Sequence, residues 1–368
     1  MASSIFLETP PSQDLHPLNA LRPEHTLHFG VRSIANQWKD LLQAKPHLQI
    51  HPRLLPVKAN VDVVMSLSEG EAWHHEGLVV AQHGVACTNI VDGPSPDLLK
   101  DAPSLFERAG EGLEGDLARL KTVWRLRTLS EDEREAWASA GVFVHGPLER
   151  IHLAPGATLR DASLNTEHGD IVIGPNAEVM EGCRIRGPFA LGEDAVLRMG
   201  TLVYGPTTVG QSCKVGGELS NVVVHDFSNK AHGGFLGNSV LGSWCNLGAE
   251  TTCSNLKNTY GEIAEWSTSA NGFVGKGRTF CGLIMADHSK TAIHTAFNTA
   301  SVVGAMSNVF GASTPPKFLP AFSWGCEGEV HDVERAIVTA RKVMARRDMS
   351  LTNDEEDRIR AAFEARLT

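Results

Sequence analysis

His232 sits in the run Ser228-Asn229-Lys230-Ala231-His232-Gly233-Gly234-Phe235-Leu236-Gly237, two residues after a lysine and directly before two glycines. An imidazole titrates near neutrality, so at cellular pH it can accept a proton from a reacting group. The bland reading of the same residue is a solvent-facing loop histidine. Upstream, Arg198 in Leu197-Arg198-Met199-Gly200 taken by itself reads as an outward charge on the scaffold. His225, His232, His288 and His294 together could ligate zinc, but the usual His-x4-His pair is absent. Bound zinc in the purified protein would be the sign of that chemistry.

The element that must position these residues is a repeat of six. Ile173, Val179, Ile185, Leu191, Leu197, Val203, Val209 and Val215 recur at every sixth position. Ala177, Cys183, Phe189, Ala195, Thr201, Thr207 and Cys213 come four residues after the first seven. Neither an α-helix nor a flat strand has that period, whereas a parallel β-helix of hexapeptides does. The aliphatic residue points inward and the small one fits a corner, so bulky Phe189 predicts a local bulge or open corner.

Leu153 and Leu159 begin the count, and residues 165–169 shift it by two. Phe235, Leu241 and Leu247 resume it with Ser239, Cys245 and Thr251. Met285, Thr291, Phe297, Val303 and Val309 carry Ser289, Thr295, Ser301, Ser307 and Ser313. At about eighteen residues a turn and about 4.8 Å per strand, seven to nine turns make a prism roughly 35 to 45 Å long. Residues 216–234 and 255–280 read as excursions from the coil, where function tends to sit.

Residues 1–140 have the texture of an α/β domain. A strand is expected at Ile5-Phe6-Leu7, a helix over 31–44, and a strand or short helix over 61–67. Amphipathic helices follow over 114–127 and 130–139, the last opened by a Ser130/Glu133 capping box. The coil then occupies 141–320, with its boundary near 141–147. A C-terminal helical extension, 321–368, places Val330, Val333, Ile337, Ala340 and Met344 on one face and continues after Thr352-Asn353. That pair of helices is expected to cap the open end of the coil, or else to serve as a partner-binding arm.

With 33 basic against 43 acidic side chains the net charge is -10, which argues against nucleic acid as a partner. The start MASSIFLETPPSQ lacks a cationic, apolar leader, and no run of eighteen apolar residues occurs, so a soluble, cytoplasmic protein without membrane contact is expected. Seven scattered cysteines without CxxC spacing read as buried thiols.

The stretch from Ser228 through Leu241-Gly242 and Asn246-Leu247-Gly248-Ala249 to Asn255 resembles the acetyltransferase half of the GlmU family. His232, Phe235, Gly237, Asn246, Ala249 and Asn255 fall at that family's separations, and Leu197-Arg198-Met199-Gly200 is similar to its Leu-Arg-Pro-Gly. The resemblance implies a left-handed β-helix and a homotrimer with acetyl-CoA as acyl donor. It further implies His232 as the base that deprotonates a sugar amine, Arg198, Lys230, Phe235, Asn246 and Asn255 as substrate ligands, and the backbone of Ala249 at the thioester. Departures are Ser220 where the family has a lysine, Phe235 for a tyrosine and Glu250 for a glycine.

Leu15-His16-Pro17-Leu18 and Leu21-Arg22-Pro23 resemble a reduced sugar-nucleotidyltransferase domain, although no glycine precedes Gly30 to build a triphosphate loop. Arg22 and Lys58 remain as contacts to a diphosphate or sugar phosphate there. The arrangement as a whole is similar to GlmU-related sugar-nucleotidyltransferase-like proteins. The implied function is CoA-dependent acyl transfer, with N-acetyl transfer foremost, to a sugar phosphate or nucleotide sugar. Alternatives are uridylyl or thymidylyl transfer, the one activity that would call for Mg2+, and a non-catalytic sugar-nucleotide scaffold.

Overall fold

The structure, a computed structural model, describes residues 5–85, 87–311 and 314–366. Three ladders of short parallel strands form its centre, and the chain visits them in rotation. The first ladder stacks Ile151–Leu153, Ile171–Ile173, Phe189–Leu191, Thr207–Val209, the ends of Glu218–Val224 and Phe235–Leu241, then Leu283–Met285, Ser301–Val303 and Phe318–Leu319.

The second ladder stacks Thr158–Leu159, Glu178–Val179, Val196–Leu197, Lys214–Val215 and Asn229–Lys230. Asn246 then bridges both Asn229 and Lys290, and Lys290–Thr291 and Asn308–Val309 continue the ladder. Val142–His145, Ala162–Asn165, Arg184–Arg186, Leu202–Tyr204 and the beginnings of Glu218–Val224 and Phe235–Leu241 make the third, with Thr252–Cys253 and Ala296–Phe297 beyond them. This is the architecture of a parallel β-helix.

Pairing explains the sequence period. Ile171 lies opposite Phe189, and Phe189 opposite Thr207, each eighteen residues on. Every aliphatic residue of the hexad run from 173 to 215 is at most 2% exposed. Phe189 is fully buried in unbroken register, so the expected bulge is not there; the interior accommodates the ring between Ile171 and Thr207. Ser313 lies outside the described residues.

Two other expectations are corrected. Residues 216–234 are not an excursion: they hold the strands Glu218–Val224 and Asn229–Lys230. The sixfold count fails because corners shorten, with Thr208 pairing Val223 and Lys214 pairing Asn229, each fifteen on. Leu236, not Phe235, is the inward residue of its strand at 1% exposure, and a one-residue offset turns Phe235 outward. Residues 255–280 do leave the coil, as a hairpin of Ala264–Ser267 and Gly272–Gly275.

The N-terminal residues form α1 (Ile34–Leu41, capped by Ser33), α2 (Lys58–Ser66), α3 (Ser104–Glu107) and α4 (Ala109–Val123). A sheet accompanies them, its strands ordered Leu48–Ile50, Leu78–His83, Glu71–His75 and Asn89–Asp92. At Ile5-Phe6-Leu7 there is only a single bridge, from Phe6 to Ile50. This layer lies on the outer side of the first ladder. Phe29, Trp38 and Phe106 share a core with Val223, Val240, Ile284 and Val302, while Leu113 and Leu120 cover Val172 and Ala190. Strands buried on both sides read as continuous apolar runs, and Ile171-Val172-Ile173 and Val222-Val223-Val224 do.

Gly30 and Gly112 let two backbones cross, since a Cβ on Gly112 would lie 2.6 Å from the Gly30 nitrogen. After the Ser130/Glu133 capping box comes α5 (Arg134–Ser139). Arg127–Thr128 pairs antiparallel with the first coil strand and so covers the edge at that end.

The helices α6 (Val333–Ala345) and α7 (Asn353–Ala365) do not cap an end. They lie along one edge of the prism, and the reason is visible in its corner residues. Asn176, Asp194, Ser212, Phe227, Trp244, His288, Met306 and Phe322 occupy equivalent left-handed positions, with φ from 53° to 63°. Each sends its N–H to the residue before its counterpart one coil below, as in Trp244 to Asp226 and His288 to Ser243. Short polar side chains are usual at such φ and bulky ones are outliers. Here the column turns from Ser212 to Phe227 and stays large, giving an apolar stripe. Ala336, Ile337, Ala340 and Ile359 bury Met306 and Phe322 with help from Leu21.

Candidate functional site

Arg198, His232 and Ala249 lie along one edge of the coil, between the second and third ladders. Strands end at Leu197, Val215 and Lys230, and the turns that follow stack on one another. A Cβ on Gly216 would meet Arg198 Cβ at 3.3 Å, one on Gly217 would meet the His232 carbonyl at 3.0 Å, and one on Gly233 would meet Glu250 Oε1 at 2.3 Å. The glycines therefore permit close stacking. His232 and Ala249 occupy neighbouring coils, with Arg198 two coils from His232, about 10 Å.

His232 is exposed, yet its backbone is held. The Lys230 ammonium, 1% exposed, donates to the carbonyls of Gly216 at 2.9 Å, His232 at 2.9 Å and Gly233 at 3.2 Å. Three donors meet three acceptors, so Lys230 has none left for a substrate and its expected role as ligand is corrected to one of fixing the turn. Burial lowers its pKa to about 8, with the Glu250 carboxylate acting the other way. The turn is thus tied down from inside while its imidazole faces out. The half-buried Ala249 amide N–H has no partner among the described residues.

The other expected ligands lie elsewhere. Asn246 is exposed on the second ladder between Asn229 and Lys290. Phe235 lies outward over Gly237, where a Cβ would come within 2.5 Å of its ring. Asn255 terminates an asparagine column at the opposite edge: its Nδ2 donates to Asn238 Oδ1 at 2.7 Å, and Asn238 Nδ2 donates to Asn221 at 3.0 Å. Asn221 in turn donates to the Phe106 carbonyl at 2.6 Å, tying α3 to the coil. Asn246 thus lies one coil from Asn229, three residues before His232, whereas Asn255 lies at a different edge. Lys58 is exposed and paired with Asp62 on its own helix, remote in role from Arg22.

A cleft of about 320 Å³ opens between residues 21–33, the large-residue corner column and α6–α7. Arg22 Nε donates to Asp287 Oδ2 at 2.6 Å, and Asp287 Oδ1 accepts the Ser243 N–H at 2.8 Å. His28 Nε2 lies 3.3 Å from Asp226 Oδ2, and Asp226 Oδ1 accepts the Gln211 N–H at 2.7 Å. Phe227 stacks on Trp244 at 4.2 Å between ring centroids, and Trp244 is nearly parallel to His288 at 6.1 Å. Neither this cleft nor its aromatic floor was anticipated. The signal available was the run of large residues at the corner positions.

His225 pins the N-terminal layer to the coil. Its Nε2 accepts the His28 N–H at 3.0 Å while its Nδ1 faces the Leu241 carbonyl at 2.8 Å, which fixes a neutral ring protonated at Nδ1. Burial, reinforced by His28 and Arg22, holds its pKa well below 6.5. Burial, with Lys290 and Arg22, lowers His288 to about 3. The unfolded chain takes up these protons near pH 6.5, so below that it binds more protons than the folded chain. This stability is whole above about pH 6.5 and is lost as pH falls toward the folded values. The melting midpoint at constant ionic strength is expected to fall from pH 7.5 to pH 5, and less steeply in His288→Gln. A midpoint that holds steady would contradict the buried neutral rings.

No protein-family model matches the chain. It is 23% identical over 225 residues to the bifunctional protein GlmU of Synechococcus elongatus, covering 55% of this chain and 45% of that one. With GlmU of Rippkaea orientalis it shares 30% identity over 110 residues, covering 28% of this chain and 21% of that one. With GlmU of a Picosynechococcus strain it is 25% identical over 217 residues, covering 51% and 42%. The chain thus spans less than half the length of the curated relatives it matches. Among solved structures, a hexapeptide transferase family protein from Anaplasma phagocytophilum is similar at 16% identity and a TM-score of 0.30, covering 53% of this chain and 92% of that one. No helix among the described residues is long and apolar enough to cross a membrane.

Proposed function

The chain is a GlmU-related hexapeptide-repeat protein, and from that premise we propose that it is a CoA-dependent acyltransferase. Its acceptor is the amine of a sugar phosphate or nucleotide sugar, with acetyl-CoA as the donor. The observation that carries this reading is the outward imidazole of His232 on a turn held from within by Lys230, one coil from the unpaired Ala249 amide. The amine nitrogen attacks the thioester carbonyl carbon as His232 takes its proton. The oxyanion finds the Ala249 N–H. The C–S bond then breaks, and the thiolate leaves as the free thiol with that proton.

Asn255 stands beside Asn238, at a different edge of its own chain from His232, so the reading includes a neighbouring copy that supplies it. We take the coil as left-handed and the assembly as a trimer of parallel coils with sites between them, Arg198 holding the acceptor's phosphate. Light scattering at low micromolar concentration should give about three times the 39.7 kDa chain mass. A clean monomer would remove the shared site. Residues 1–140, lacking a glycine-rich loop, are assigned no nucleotide transfer, and so no Mg2+. Gly30, the first glycine, is used in the crossing with Gly112.

A further inference from the structure

We propose that Thr128, His152 and Asp170 form a second reactive site, at the N-terminal end of the coil, where the Thr128 hydroxyl takes the acyl group of a small carboxylic ester. Geometry carries this. Thr128 Oγ1 lies 2.9 Å from His152 Nδ1, and His152 Nε2 lies 2.8 Å from Asp170 Oδ1. An ionised carboxylate only accepts, so it holds the imidazole proton on Nε2 and leaves the Nδ1 lone pair for the Thr128 O–H. A hydroxyl on a base that a third group orients is the arrangement that activates a nucleophile.

The backbone sets all three groups. His152 is the middle residue of Ile151–Leu153, whose ends lie in the coil's core, so it faces the covering layer beside Val172 and is 1% exposed. Asp170 immediately precedes Ile171, the ladder partner of Ile151, which puts its carboxylate one coil on. Thr128 pairs with His152 across the antiparallel edge. Because the Leu129 N–H donates to the Ile151 carbonyl at 3.0 Å, Thr128 and His152 are a non-hydrogen-bonded pair, the kind whose side chains stand closest. The same alternation turns the Thr128 N–H away from the coil, toward the open side of the last strand of the sheet. An oxyanion formed beside Oγ1 can meet it there. Thr128 is exposed, so an ester reaches its hydroxyl from solvent, while the base beneath is buried. The hydrogen bond with His152 lowers the Asp170 pKa against partial burial, and the charges of Arg150 and Lys121 add to the effect. Oγ1 attacks the ester carbonyl carbon as its proton passes to Nδ1. The C–O bond to the alcohol breaks, and the alcohol leaves with that proton. Water activated by the same nitrogen then releases the acid and restores the hydroxyl.

Mixing the full chain with 4-nitrophenyl acetate tests the assignment. A burst of about one nitrophenolate per chain is expected, the sign of a covalent acyl intermediate, with the acetyl group mapped by peptide mass spectrometry to Thr128. Thr128→Val, which keeps the shape and loses the hydroxyl, should abolish both signals, and Thr128→Ser should retain them. Asp170→Asn should slow the burst by about 100-fold or more, because an amide no longer fixes the proton on Nε2. Should Thr128→Val fail to fold, the position of the acetyl group on the parent chain decides. The proposal falls if the parent carries no acetyl on Thr128, if folded Thr128→Val keeps the burst, or if Asp170→Asn is acylated at the parental rate. A chain of bonds that merely ties the edge strand to the coil would give the first of these results.

Discussion

His232→Ala is expected to lower kcat by about 100- to 10,000-fold, the usual worth of a positioned general base, with little change in ligand affinity. The expectation follows from geometry as well as resemblance. The imidazole is exposed and its turn is fixed from below by three bonds from one buried ammonium, so truncating the ring removes the proton acceptor without disturbing the turn. Lys230 is the contrasting position: removing it would leave three carbonyls to find new partners and would damage the turn itself. Parental turnover by His232→Ala on the true acceptor would defeat the assignment.

Phe189→Ala is expected to destabilise the chain by about 3 to 5 kcal/mol, the range for a fully buried phenylalanine. Its ring is enclosed in the coil interior, with Ile171 and Thr207 as its ladder neighbours and rigid strands on either side. Short strands held in register on both sides cannot collapse far into the space, which favours the upper part of that range. Denaturant unfolding monitored by tryptophan fluorescence measures it. A loss under about 1 kcal/mol would mean that the coil relaxes around the site, as an open corner would allow.

The coil was legible because its period is local. Eight aliphatic residues at sixfold spacing identify the inward positions without knowledge of any distant contact, and Ile173 through Val215 are buried as that spacing requires. Counting failed where two corners lost residues, one just before Glu218 and one between Ser220 and Val223, which made an ordinary coil look like a loop. The His232 motif lay in that stretch and was found through its residue types, while its support by Lys230 required the folded turn. The cleft was not legible, since Arg22 and Asp287 are 265 positions apart and nothing local joins them. Two weaker signals were present. The strands of the first ladder are apolar on both faces, which implies a covering layer. The change from Asn176, Asp194 and Ser212 to Phe227, Trp244 and His288 at one corner marks where that layer and α6–α7 settle.

The acyl-transfer reading is tested most directly by free thiol released from acetyl-CoA in the presence of amino-sugar phosphates and amino nucleotide sugars, with the parent chain and His232→Ala run side by side. The account predicts acceptor-dependent thiol release, proportional to the parent protein and nearly absent with the variant. Acetyl-CoA left intact with every amino-sugar acceptor, or thiol released equally by both proteins, would contradict it.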